Sequence, residues 1–130
     1  MPYEISFTKA ISDPNSDIYI NECCYGGDVV SEQLLPAIRE QYGDLQADQE
    51  DWGWFIWFRD RQNPKVRLAV DIFCDDPETG AFRIRVTSRK KGWLSSAIAD
   101  TPELDRLKEI VVGQVELWVG SAPEVEQVED

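Results

Sequence analysis

Histidine is absent from these 130 residues. Its absence removes Ser-His and Cys-His nucleophile activation, imidazole general-base chemistry and nearly all catalytic zinc sites. Cysteine is scarce and odd in number, at Cys23, Cys24 and Cys74, so a disulfide scaffold is not expected. Cys23 and Cys24 are neighbours on what reads as a strand end, which turns their side chains to opposite faces. The common fate of such thiols is a small apolar packing role. No run approaches the ~18–20 consecutive apolar residues of a membrane-spanning helix. Met1-Pro2-Tyr3-Glu4-Ile5-Ser6 lacks the basic-then-apolar pattern of a secretory signal. The expectation is a cytoplasmic protein with no membrane partner. Walker, dinucleotide and calcium-loop motifs are all missing, so neither cofactor nor metal is expected.

Basic residues are in the minority: 13 Lys and Arg stand against 25 Asp and Glu, for a net charge of −12. A surface so charged repels nucleic acid as a whole, and no nucleic-acid partner is expected. The charge is unevenly placed. Residues 1–58 hold two basic and eleven acidic residues, residues 59–91 nine and five, residues 92–130 two and nine. A basic centre therefore lies between acidic flanks. Either the flanks neutralise the central arginines, or those arginines form a local patch for an anion or a partner.

What is present is enough for one folded unit: 42% of the residues are hydrophobic, and the length suits a single domain. Tyr3 to Thr8 alternates as a half-buried strand does. Asp13-Pro14-Asn15-Ser16-Asp17 is turn chemistry, and Ile18-Tyr19-Ile20-Asn21 reads as a returning strand. The hairpin so formed points Tyr3, Ile5, Phe7, Ile18 and Ile20 at the core. After Gly26-Gly27-Asp28, Val30, Leu34, Ile38 and Tyr42 recur at helical spacing. Pro36 requires that this helix begin close to Ser31 or kink there, and Gly43 is its stop. Residues 44–51 read as an acidic loop. Trp52 to Arg59 is apolar on both faces and is expected at the centre of the sheet. Val66 to Cys74 follows, with Val66, Leu68, Val70 and Ile72 on one side. The stretch 75–80 is a hairpin turn, and Ala81 to Arg89 has Phe82, Ile84 and Val86 on one side. Thr101-Pro102-Glu103 is a helix start, and Leu104, Leu107, Val111, Val115 and Trp118 form its apolar stripe. Gly120 ends it.

The predicted class is α+β, an antiparallel sheet of about five strands in the order β-β-α-β-β-β-α, with both helices on one face. Residues 1–120 form the domain, and 121–130 an acidic, disordered tail.

The best candidate site is the other sheet face. Alternation sends Arg67, Asp71, Phe73, Arg83, Arg85 and Thr87 there. The Trp-rich strand adds Phe55 and Trp57, or else Trp54, Ile56 and Phe58, depending on register. Arg mixed with exposed aromatics suits stacking and cation–π recognition. The plainer alternative is a ladder of cross-strand Asp–Arg pairs that keeps an open face soluble. Two weaker candidates remain. Arg89-Lys90-Lys91-Gly92-Trp93 sets three cations beside a Trp. Asp44, Asp48, Glu50, Asp51, Asp75, Asp76 and Glu78 are hard-cation ligand types without a metal-loop spacing. Gly26-Gly27 precedes a helix, but Asp28 occupies the place of an anion.

No catalytic residue is assigned. The functional expectation is a non-catalytic interaction protein of the inhibitor or immunity type, whose partner presents a basic surface, or one that self-associates through the sheet face. The alternative is a small-molecule-binding domain, or a histidine-independent enzyme, built on the Trp/Arg face.

Overall fold

The computed structural model of the chain describes residues 1–11, 16–92 and 96–129. Its elements are β1 (Tyr3–Thr8), α1 (Gly27–Tyr42), β2 (Asp48–Glu50), β3 (Gly53–Arg59), β4 (Val66–Asp76), β5 (Ala81–Lys91), β6 (Ser96–Ile98), α2 (Pro102–Val119) and β7 (Glu124–Gln127). The strands form one antiparallel sheet in the order β2-β3-β4-β5-β1-β7, and β6 pairs with β5 beyond the end of β1. The class is α+β with two helices, as expected. The sheet has seven strands rather than about five, because β2, β6 and β7 are short and carry no apolar alternation long enough to read.

Alternation fixes the core. Val66, Leu68, Val70, Ile72, Phe82, Ile84 and Val86 are all buried. Ile5 lies opposite Ile84, and Ile56 opposite Val70, so β1 and β3 share that face. Val30, Leu34 and Ile38 of α1 and Leu104, Leu107, Val111 and Val115 of α2 join them in one cluster. The second helix begins as the sequence predicts. Thr101 Oγ1 accepts from the Leu104 N–H at 3.1 Å, and Pro102 takes the first position. No helix of the described residues is long and apolar enough to cross a membrane.

Several expectations are corrected. Residues 18–21 are not a strand. Residues 16–18 and 22–24 form short 3-10 turns, and both edges of β1 are taken, by β5 and β7. Ile18 and Ile20 are exposed, and Tyr19 is the buried residue, its hydroxyl bonded to Asp28 at 2.5 Å. The Gln49 side chain pins this segment through Ile18 O and Ile20 N. The turn at 13–17 falls mostly outside the described residues. Cys23 and Cys24 lie in a 3-10 turn rather than at a strand end.

The first helix starts at Gly27, ahead of Ser31, and contains Pro36. Pro36 and Glu32 are both exposed, so water can replace the N–H that proline lacks. The loop 44–51 contains β2. The Trp-rich strand is next to the sheet edge rather than central, with β2 covering only Gly53 to Phe55. Its second apolar face is filled by aromatic contacts instead of a second layer.

The tail carries β7. It pairs with β1, and Val128 N donates to Pro2 O at 2.8 Å. Its side chains are exposed. Low apolar content argued for disorder, but a free strand edge recruits backbone hydrogen bonds without side-chain burial.

Candidate functional site: the open sheet face

Register decides which side chains share the open face. In antiparallel pairs, residues directly opposite point the same way. Phe55 opposes Asp71, Asp71 opposes Arg85, and Arg85 opposes Glu4. Phe73 opposes Arg83, and Arg83 opposes Ser6. Trp57 opposes Ala69, and Ala69 opposes Thr87. Arg59 opposes Arg67, and Arg67 opposes Arg89. The structure thus brings Phe55, Trp57, Arg67, Asp71, Phe73, Arg83 and Arg85 to one face. Trp54, Ile56 and Phe58 point to the helices.

The face has two unlike ends. At the first, cations meet acids. Arg83 bridges Glu4 at 3.1 Å and Asp75 at 3.3 Å, and its guanidinium lies 4.3 Å from the Phe73 ring centroid. Half-buried Asp71 accepts from Trp57 Nε1 at 2.7 Å. Burial raises the Asp71 carboxyl above the usual range, while the Trp57 bond and the Arg85 charge pull it back. This end is the Asp–Arg ladder of the plainer alternative.

At the second end, Arg59, Arg67 and Arg89 stand side by side in one cross-strand row. All three are exposed. Among the described residues none has a carboxylate partner. Neighbouring strands lie ~4.8 Å apart, so the row spans ~10 Å of sheet. Like charges directly opposite disfavour the sheet. Arg61, Lys65, Lys90 and Lys91 crowd the same end.

Between the ends stands an aromatic wall. Phe55 and Trp57 have ring centroids 4.3 Å apart, Trp52 and Phe73 5.3 Å. Trp52 lies within 19° of parallel to Trp57 at 6.5 Å. Trp57 is 57% exposed. Because Ala69 is small, the floor between Trp57 and Thr87 is low. The result is a concavity of ≈ 680 Å³ lined by Trp52, Trp57, Asp71 and the arginine row, within the usual range for small-molecule sites.

Sequence reasoning missed Arg59 and Trp52, and it named Arg89 only in the Arg89-Lys90-Lys91 run, not on this face. The two arginines had a signal: Arg59 shares the parity of Phe55 and Trp57, and Arg89 that of Arg83 and Arg85. Trp52 had none, because it precedes β3 in a turn. Gly53 makes that turn feasible, since a Cβ there would sit 2.2 Å from the Ile72 carbonyl oxygen.

The other candidates fare differently. Arg89, Lys90 and Lys91 form the exposed end of β5, while Trp93 lies outside the described residues. Among the described residues no group of three acidic or thiol side chains is placed to hold a metal ion. Asp28, at the start of α1, takes the Tyr19 hydroxyl. Cys24 and Cys74 are buried. Burial raises both thiols, Cys74 to about 11, so neither is a thiolate at neutral pH.

Comparison with family models, characterised proteins and solved structures finds no match to this chain.

Proposed function

We propose that this chain is a binding domain whose open sheet face takes up a small anionic ligand bearing a flat ring. One observation carries the reading: Arg59, Arg67 and Arg89 form a row of three exposed guanidinium groups without carboxylate partners among the described residues, in a chain where acids outnumber bases almost two to one. Partners were available in the sequence, and the ladder at the other end uses them. A like-charge row that costs stability is the pattern of a site whose missing charge arrives with the ligand.

The spacing narrows the chemistry. Trp57 is two residues from Arg59 along β3, or ~7 Å. A ligand bridging them has an oxyanion, such as a phosphate, on the guanidinium row. Its ring then lies against Trp57, by stacking and apolar contact. A nucleoside monophosphate has these proportions. The net charge of −12 does not prevent this, because the field of any acid more than ~8–10 Å away is screened at physiological salt. An inhibitor-type partner with a basic surface would meet arginines at this face, so that reading draws no support from it.

The test is a titration of intrinsic Trp fluorescence with adenosine monophosphate, with inorganic phosphate and adenosine as half-ligands. The expected result is saturable quenching by the nucleotide that weakens with added salt. Arg67→Gln should abolish it, and Arg83→Gln should leave it in place. Equal response of the wild type and Arg67→Gln would sink the proposal.

A further inference from the structure

A second cavity lies on the opposite side of the sheet edge, away from the open face. It holds ≈ 190 Å³ and is lined by Gln41 and Tyr42 at the end of α1, by Asp60, Arg61 and Gln62 in the β3–β4 turn, and by Arg106 on α2. Three separate elements therefore meet around it.

Tyr42 makes this cavity unusual. The residue is 6% exposed, and its ring packs on Phe58 with centroids 4.7 Å apart. Among the described residues its hydroxyl is the one buried side-chain polar atom without a hydrogen-bond partner. Buried hydroxyls are normally satisfied, and an orphan calls for an explanation. Burial raises its pKa first, the Asp60 charge raises it further, the Arg106 charge lowers it, and the Glu103 charge raises it; Asp60 and Arg106 line the cavity. At neutral pH the hydroxyl therefore keeps its proton and is a donor in want of an acceptor.

The rest of the lining selects the acceptor. Arg61 and Arg106 are exposed and have no carboxylate partner among the described residues. Gln41 and Gln62 add amide donors. Asp60 is the one carboxylate, and its Oδ2 already accepts from the backbone N–H groups of Gln62 and Asn63 at 3.0 and 2.9 Å. The lining itself thus sets two cations against one internally bonded acid, while Glu103, outside the lining, accepts from Asn63 Nδ2 at 3.3 Å. A metal ion is disfavoured by the two guanidinium groups.

We infer that this cavity is a binding site for a small oxyanion, held by the Tyr42 hydroxyl and the Arg61 and Arg106 guanidinium groups. Its volume of ≈ 190 Å³ accepts a phosphate, sulfate or carboxylate group with room for ordered water. By joining α1, the β3–β4 turn and α2, the bound anion ties both helices to the sheet edge. The inference is independent of the ligand proposed for the open face.

The experiment measures Tm of the full chain in phosphate, sulfate, acetate or chloride at matched ionic strength. An anion that binds only the folded state raises Tm with the logarithm of its concentration. A rise with phosphate and sulfate alone identifies a tetrahedral oxyanion, and a rise with acetate identifies a carboxylate; either supports the site. Tyr42→Phe and Arg106→Gln should lose the rise, whereas Arg67→Gln on the open face should keep it. In chloride, Tyr42→Phe should melt no lower than the wild type, because it removes an unsatisfied group. No anion-specific rise in the wild type, or a full rise in Tyr42→Phe, would overturn the inference. So would a marked drop in the chloride Tm of Tyr42→Phe, since the hydroxyl would then already be satisfied by water.

Discussion

Arg83 and Arg67 lie on the same face of adjacent strands, and their surroundings are opposite. Arg83 is held between Glu4, Asp75 and the Phe73 ring. Arg67 stands between Arg59 and Arg89. The residue type and the alternation that placed them are shared, although Arg83 is half-buried and Arg67 is exposed. What differs is the strand opposite, and that is set by register. β1 brings Glu4 to one end of β5, but it stops before the other end, where β6 takes over. The acid-bearing strand is thus absent where the arginines crowd. Overall charge is no guide to such a face, because the neutralising residues must arrive at the right rung.

The largest effect that sharpens this comparison comes from neither end. Leu107 is fully buried beneath the sheet, and Leu107→Ala should cost about 2–5 kcal/mol. Chemical denaturation measures it. An unchanged midpoint would break the division between a face that carries stability and a face that does not.

Arg83→Gln comes next. It removes two ion pairs at a partly shielded position, which should cost about 0.5–1 kcal/mol. Arg67→Gln should cost nothing and can stabilise by up to about 0.5 kcal/mol, through relief of like-charge opposition. The contrast between the two variants is the quantity to measure by urea unfolding. Equal losses would mean that the two ends are alike.

The smallest effect is a pH dependence. Burial raises the folded Asp71 carboxyl above its unfolded value. The folded state then binds the proton more tightly, so stability falls as pH rises through the carboxylate range, and the penalty is fully present at neutral pH. Asp71→Asn keeps an acceptor for Trp57 Nε1 and removes that penalty. Its Tm should exceed the wild type at pH 7 and match it near pH 3, below the ordinary carboxylate range. A lower Tm at pH 7 would mean that the Trp57 bond and the Arg85 charge outweigh the burial.

Sequence by itself determined the two-faced architecture. Period-two alternation in 66–74 and 81–89 fixed which side of β4 and β5 is buried, because a pleated strand allows no other choice once one face is apolar. The Thr101-Pro102 start and the Leu104, Leu107, Val111, Val115 stripe fixed the second helix for similarly local reasons. Alternation also sent Arg67, Asp71, Phe73, Arg83 and Arg85 outward together. It left the parity of the Trp-rich strand open, since that strand is apolar on both sides.

Only the tertiary structure decided between Trp57 and Trp54, through the pairing of Trp57 with Ala69 and Trp54 with Ile72. Only it showed that β1 pairs with β5 and β7 rather than with residues 18–21. That choice joins segments about 80 and 120 residues apart, a separation no local pattern encodes. It likewise decided that, among the described residues, the arginines divide into a paired set and a row without carboxylate partners, and that Tyr42 carries an orphan hydroxyl. Both depend on which distant groups arrive beside a side chain. The sequence specifies the direction in which a residue points, whereas its neighbours exist only once non-local strands and helices have packed.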